Sequence, residues 1–393
     1  MTATVFGAGS LVGAPVRRVE DPALLRGQGT FIDNLELDHP VHLAFVRSTV
    51  AHAEIRSIDM SAARTMAGVV AVYSSTDLNL PNFVGMMQLN PHAVRHALAL
   101  DRVRYVGDPV VVVVAETKAQ AVDAAEAVIV EYDVLGIVAD PEAALAPDAP
   151  LQFEALGSNV VMGAREPDDF DPLEGADVIV RGRFENQRLA VVPMEGAAIA
   201  ALPGDDGDGH ELTVYLGCQM PHMNRGQIAG HFGIDADSIR VIAPHVGGSF
   251  GAKHWAPEHA VAVAVARILG RPAKWVETRS ENMTAMPHGR GQVQYVELGL
   301  RRDGTIVGMR CRVVGDAGAY AGFGGMLAFG PTHSMAQGVY RIPKIGYDVA
   351  IVVTNLTPMG AYRGAGRPEA AAMLERIIDM AAAELGMDPV AIR

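Results

Sequence analysis

Hydrophobic and polar positions follow two rhythms along this chain, and the switches between them outline its elements. Between Val41 and about Asp140, VHLAFVRS alternates apolar and polar residues with the period of two of a half-buried strand. VVAVYS and DPVVVVVAE are β-branched runs bounded by turn residues, and TKAQAVDAAEAV has helix-forming composition before another strand, IVEYDV. Together they predict a compact α+β unit, and residues 1–141 are read as an amino-terminal arm followed by this unit. From 142 to 174 the periodicity fades into Pro, Asp, Gly and Ala, ending in REPDDFDPLEG, the composition of a linker crossing the surface.

A second mixed unit, 175–393, follows. DVIVRGRFE, AAIAAL and ELTVYL read as strands, HMNRGQIAGHFG as a helix and SIRVIAPHV as a strand. A glycine loop comes next, then a helix from about Pro257 to Leu269. KWVETRS reads as a strand, and QVQYVELGLRRDGTIVGMRCRVVGDAG as a hairpin turning at Asp303-Gly304, a pair that supplies the positive φ a tight turn needs. After the strand IGYDVAIVVTN, a helix opens with Pro368 in its first turn. It carries Leu374, Ile377, Ile378, Ala381 and Leu385 on one apolar face and stops at Gly386. MDPVAIR then looks like a helix start with Asp388 as cap and Pro389 at the first position, so the sequence reads as a fragment or one piece of a split subunit.

Composition narrows the function classes. Of 393 residues, 49% are hydrophobic and 20% charged, the balance of an ordinary globular protein. A net charge of -13 without runs of like charge argues against nucleic acid or an anionic membrane as partner. Two cysteines, Cys218 and Cys311, are too few for a disulfide framework, a structural zinc site or an iron-sulfur cluster held by this chain alone. The amino terminus places its basic residues after its apolar ones, the reverse of a secretory signal, and the richest apolar run, 260–269, is far short of a membrane span. A cytoplasmic protein is the reading.

The candidate chemistry lies in HVGGSFGAKH, 245–254. Its GGSFG matches the G-x-S-x-G pattern of a hydrolase nucleophile, with Asp316 and His333 able to complete a triad on paper. A nucleophile elbow needs its helix directly after the serine, however, and here the helix starts late, at Pro257. Lys253 is followed by His254 rather than Ser or Thr, which removes the P-loop, and GGSFG does not supply G-x-G-x-x-G. His254 and His259 have no second ligand pair nearby, so a metal site is the weaker reading. What remains is a loop whose glycines let backbone amides approach a bulky, oxygen-rich cofactor, with Phe250 packing beside it.

That reading asks for companions, and two segments qualify. Gln219 in GCQMPH has an amide that donates and accepts; its plain alternative is a capping residue. Arg363 in AYRGAGRPE sits among small residues that permit close backbone approach; its plain alternative is a surface ion pair.

Taken together, RRVEDPALLRGQGTFIDN, FVRSTVAHAEI, RYVGDPVVVVVAE, VVPMEGAAIAA, GCQMPH, GGSFGAK, GDAGAY and AYRGAGRPE closely resemble the large, molybdenum-binding subunit of the xanthine dehydrogenase, aldehyde oxidase and carbon monoxide dehydrogenase family. The resemblance implies an α/β hammerhead domain followed by the first part of a molybdopterin-binding domain. It implies that Gln219 hydrogen-bonds the apical oxo ligand, that the backbone around Gly248, Phe250 and Gly251 faces the molybdenum centre, and that Arg363 and Gly364 form a second loop beside it. His254 and Ala365 then line the substrate pocket, and Ser249 has no role, standing where glycine is common.

The family's reaction is hydroxylation with water, so the implied function is oxidation of an N-heterocycle or aldehyde. The implied cofactor is molybdenum with molybdopterin cytosine dinucleotide, held through the pterin with no direct protein ligand to the metal. The implied partners are a 2Fe-2S small subunit and an FAD medium subunit, with a second chain as a possible source of the carboxy-terminal molybdopterin domain. Carbon monoxide dehydrogenases carry a copper-binding cysteine where Gly364 stands, and purine-oxidising relatives carry a glutamate and a phenylalanine where His254 and Ala365 stand. The resemblance covers the amino-terminal half of such subunits, and the general-base glutamate belongs to the other half. The alternatives are a catalytically incomplete structural fragment and a serine hydrolase using Ser249.

Overall fold

A computed structural model of the chain describes residues 11–204 and 207–393; the apolar start of the sequence, 1–10, lies outside the described residues. The first half supplies strands β1 (Val41–Arg47), β2 (Ala53–Asp59), β3 (Val69–Ser74), β4 (Arg102–Val103), β5 (Pro109–Ala115) and β6 (Ile129–Val134). The second supplies β7 (Val160–Ala164), β8 (Val178–Asn186), β9 (Ala198–Pro203), β10 (Leu212–Leu216), β11 (Ile239–Ile242), β12 (Ala273–Val276), β13 (Gln292–Leu300), β14 (Ile306–Asp316) and β15 (Ile345–Val352).

The valine run of β5 is buried at every position, as a strand covered on both faces must be. It pairs antiparallel with β1 and β3 inside a seven-stranded sheet of order β11-β10-β9-β12-β1-β5-β3. The sheet therefore crosses the boundary between the two units read from the sequence. β1 pairs in parallel with β12, Val41 opposite Ala273 and His42 opposite Lys274, so the first unit does not close its own sheet. Only β4-β2-β6 forms a separate small sheet.

The helix Pro257–Leu269 lies against β9 and β12 and is buried at positions 257–266, which explains its nearly unbroken apolar sequence. Glu258 and His259 are the polar residues among them. Glu258 meets Arg47 at 2.8 Å, while the same guanidinium reaches Glu281, in the helix Arg279–Ala285, at 3.1 Å, so one cation pairs with two carboxylates and ties β1 to both helices.

A five-stranded sheet, β7-β15-β14-β13-β8, carries the helix Arg367–Leu385 on β13 and β8. Met373, Leu374, Ile377, Ile378 and Ala381 fill the contact. β13 and β14 form the expected hairpin, with Gly304 at φ 91°.

Three sequence expectations need correction here. The supposed linker holds β7, which pairs with β15, and buries Gln152, Phe153 and Asn159; its Pro- and Asp-rich flanks hid a short strand containing glycine. KWVETRS is a strand only to Val276: Thr278 caps the helix Arg279–Ala285, with Glu281 closing a reciprocal capping box. Residues 387–393 form turns instead of a helix, although the Asp388 carboxylate does accept the Val390 and Ala391 amides as a cap would. No helix among the described residues is long and apolar enough to cross a membrane.

Candidate cofactor site

The sheet brings the two sequence-predicted loops and Gln219 to one place. The loop after β11 turns through three positive φ values, Gly248 at 91°, Phe250 at 52° and Gly251 at 105°. A Cβ at Gly251 would sit 2.6 Å from the Ala361 carbonyl, so glycine is what allows this loop to touch the second one. There the Arg363 amide donates to the Phe250 carbonyl at 2.8 Å, and Gly364, Ala365 and Gly366 continue at φ 98°, 39° and 90°. Of six positive-φ residues other than glycine among those described, four are Val192, Phe250, Arg290 and Ala365, on segments that meet at this site. Such strain concentrates where function holds a backbone in place.

Gln219 follows β10, and its side-chain oxygen accepts from Ser249 Oγ at 2.6 Å and from the Gly251 amide at 2.9 Å. The capping alternative falls away, because the helix Pro221–Phe232 has Met220 at its N-cap. With Oε1 committed twice, the Gln219 amide nitrogen is left as a donor. Ser249 is therefore not without a role: it fixes the orientation of Gln219. The hydrolase triad does not assemble. Asp316 is held by Arg188, the Gly318 amide and Thr354, and His333 stacks on Tyr347 at 4.4 Å.

Sequence reasoning missed what anchors the loop. Lys253, fully buried, donates to Glu195 at 2.6 Å, and the same carboxylate oxygen accepts the Gly247 amide at 2.8 Å. The Glu195 amide returns a bond to the Gly247 carbonyl at 3.1 Å. Burial pulls the Lys253 ammonium below its usual range, and Glu195 opposes that shift. A lysine and a glutamate, each set in an apolar stretch, were the available signal.

The arrangement fits an oxygen-rich group. The backbone N–H groups of Gly248, Ser249, Phe250 and Gly364 have no protein partner among the described residues, and they lie on two turns that pass through positive φ, leaving backbone donors for an acceptor-rich group. Arg363 has no carboxylate partner there; its guanidinium lies 5.8 Å from the Phe250 ring centroid, so the ion-pair alternative is not realised. Cys218 and Cys311 are buried, and burial raises both thiols, so neither supplies a thiolate.

His254, at the loop's end, lines a cavity of about 100 Å³; Ala365 is not among the lining residues. Burial holds both His254 and His259 below the usual histidine range, His259 at about 4, and the Nε2 atom of each has no protein partner.

Fold and site together define a chain in which two glycine turns and one oriented glutamine meet beside unpaired backbone amides. Residues 153–393 match the molybdopterin cofactor-binding domain, and residues 26–136 match the a/b hammerhead domain of aldehyde oxidase and xanthine dehydrogenase. The chain belongs to the molybdopterin-binding family of aldehyde oxidase and xanthine dehydrogenase large subunits. It is 36% identical to the 6-hydroxypseudooxynicotine dehydrogenase complex subunit gamma of Paenarthrobacter nicotinovorans, covering 97% of this chain and 49% of that one. It is 34% identical to the carbon monoxide dehydrogenase large chain of Hydrogenophaga pseudoflava, covering 95% and 49%. The crystal structure of quinoline 2-oxidoreductase from Pseudomonas putida 86 superposes with a TM-score of 0.88 at 34% identity, over 96% of this chain and 49% of that one. The chain thus spans about half the length of the relatives it matches.

Proposed function

We propose that this chain forms one side of the molybdenum site of a cytoplasmic hydroxylase that oxidises an N-heterocycle or an aldehyde, with water as the oxygen source. The observation that carries the reading is the junction of Gln219, the 247–251 loop and the 363–364 loop, which brings unpaired backbone N–H groups of both loops together. The names of the quinoline- and pseudooxynicotine-oxidising relatives favour an N-heterocycle. Gly364 offers no thiolate, so copper-assisted carbon monoxide oxidation is not part of the reading.

When bound, the cofactor, in its molybdopterin cytosine dinucleotide form, supplies the two-electron oxidation and the transfer of oxygen from water. Partner subunits carrying 2Fe-2S clusters and FAD would accept the electrons. The chain's own residues position and polarise. Gln219 would donate its amide N–H to an oxo group, Ser249 holds that amide against flipping, and the backbone N–H groups of Gly248, Phe250 and Gly364 would stabilise negative charge without reorganising. The general-base carboxylate comes from the part of the relatives beyond the matched length, on this polypeptide or a second chain.

The test is metal and pterin content of the protein purified with its partner subunits. Stoichiometric molybdenum and a cytosine dinucleotide are expected. Metal-free protein that a fluorophosphonate labels at Ser249 would overturn the reading. Gln219→Ala should lower turnover about 100-fold, the scale of losing one preorganised donor. Ser249→Ala should lower it about fivefold, one neutral hydrogen bond, with KM unchanged.

A further inference from the structure

The second loop of the site is a four-residue turn whose own sequence leaves one choice open. The Ala365 amide donates to the Tyr362 carbonyl at 2.8 Å, closing a β-turn over 362–365, and Gly364, its third residue, stands at φ 98°. A positive φ at that position marks a type II turn. Types I and II share the closing bond and differ in the middle peptide, which is turned over between them, so the Arg363 carbonyl and the Gly364 N–H exchange sides. Glycine is at home in either, so residue 364 does not decide between them.

The deciding contact comes from Arg290. Its Nη1 donates to the Tyr362 carbonyl and its Nη2 to the Arg363 carbonyl, both at 2.9 Å. Among the described residues the Arg363 carbonyl has no other donor. The bonds from the Arg363 amide to the Phe250 carbonyl and from the Ala365 amide to the Tyr362 carbonyl belong to the peptides on either side, and both survive a flip of the middle one. The Nη2 bond is therefore the interaction that selects type II. Because C=O and N–H point opposite ways in a trans peptide, it also turns the unpaired Gly364 N–H away from Arg290.

The surroundings build this guanidinium in. Gly289 and Gly291 flank Arg290, and a Cβ at Gly289 would lie 2.3 Å from the Tyr362 Cβ, so glycine lets the segment run against the turn. The His288 carbonyl accepts the Gly360 amide at 2.7 Å, and Arg290 itself is held at φ 69°, an uncommon conformation for a residue with a side chain. Its guanidinium lies 5.0 Å from the Tyr362 ring centroid, and Nη1 is 3.4 Å from a carboxylate oxygen of Glu369, which is fully buried. A planar fork with fixed N–H directions spans two carbonyls and a carboxylate at once, which the point charge of a lysine does not.

We propose that Arg290 is a positioning residue of the cofactor site, holding the 363–364 peptide so that the Gly364 N–H, and not the Arg363 carbonyl, is offered to the acceptor the site takes. That this acceptor belongs to a molybdenum cofactor rests on the function proposed above; the orientation of the peptide does not.

The chain holds five Arg-Gly pairs, so labelling arginine with ¹³C at the carbonyl and glycine with ¹⁵N gives five correlated amide signals, and Arg363→Lys removes the one from Gly364. A type II turn brings the Arg363 Hα close to the Gly364 amide proton, and a type I turn does not. The full chain should show a strong Overhauser effect between the two, and Arg290→Met should lose most of it. Arg290→Lys, which keeps a cation beside Glu369 and so guards against misfolding of the methionine variant, should lose it too. A weak effect in the wild type, or an undiminished one in a folded variant, would overturn the proposal. In complexes purified with partner subunits, Arg290→Lys should keep wild-type molybdenum content and KM and lower kcat about tenfold, part of the ~100-fold worth of a preorganised donor. Wild-type kcat in the loaded variant would show a merely structural arginine and also count against it. The Overhauser measurement needs no cofactor, so the two readings separate. A lost effect in a chain that never takes up molybdenum refutes the cofactor reading alone, and an unchanged effect in loaded protein refutes the role of Arg290 alone.

Discussion

Lys253→Met is expected to destabilise the protein by about 3 kcal/mol and to empty the cofactor site. Methionine keeps the length and most of the volume of the buried stem, so the loss isolates the charge. Without the ammonium at 2.6 Å, Glu195 is left largely buried, with the Gly247 amide as its remaining donor. Removing one partner of a buried pair costs about 3–5 kcal/mol, and the low end applies because the Glu195 side chain keeps 14% of its exposure. Denaturant unfolding at neutral pH reads the first effect, and molybdenum content of protein purified with its partners reads the second.

The double variant Glu195→Gln with Lys253→Met sharpens this. A neutral amide can still accept the Gly247 N–H, and no unpaired charge is left, so most of the stability should return. Cofactor content should return with it if the clamp only holds the loop. A double variant no more stable than Lys253→Met would mean that the loss came from packing and not from a stranded carboxylate.

The parts of this fold that were legible in the sequence are those where one residue type repeats at a fixed period. PVVVVVA could be little else than a doubly covered strand, and the run from Pro257 to Leu269 announced a buried helix with proline at its start and glycine at its end. Gln219 and Arg363 stood out for their chemistry, an amide that donates and accepts just after a strand and a cation among small residues, and Gly251 for its place in a glycine loop. The signals that were overlooked were local but weak. Thr278 and Glu281 spell a capping box, yet the β-branched residues before them drew the strand too far.

Tertiary pairing was not legible at all. Glu195 lies just before β9 and Lys253 just before the helix Pro257–Leu269, and nothing in either neighbourhood names the other. The Ser249 hydroxyl looked dispensable because its partner, the Gln219 oxygen, is thirty residues away and adjacent only once β10 and β11 pair. The same holds for the sheet itself. Alternation within β1 shows which face is buried but not that β12, from the other half of the chain, lies alongside. Periodicity reports burial; it does not report neighbours.

Stability should also depend on pH through Glu277, in a window that one substitution isolates. Its carboxyl lies on the cavity wall; Oε2 accepts from the Ala197 amide and from Asn282 Nδ2, both at 2.8 Å. Burial, the dominant influence, raises it from the ordinary 4.5 to about 7, against the pull of those two donors and of Arg47 and with a push from Glu258. The folded chain therefore holds a proton that the unfolded chain releases between pH 4.5 and 7. Stability from this group is complete below pH 4.5, falls as pH rises through the window, and levels off above 7, a total on the order of 3 kcal/mol. Glu277→Gln mimics the protonated acid and keeps an oxygen for Ala197 and Asn282. Variant and wild type should unfold at the same temperature near pH 4.5 and diverge steadily, with the variant more stable by pH 8. Asp108, also raised by burial, to about 6, contributes to both proteins alike and cancels in the difference. A constant offset between the two curves from pH 4.5 to 8 would show that Glu277 ionises normally in the folded chain and that the cavity wall is better solvated than its packing implies.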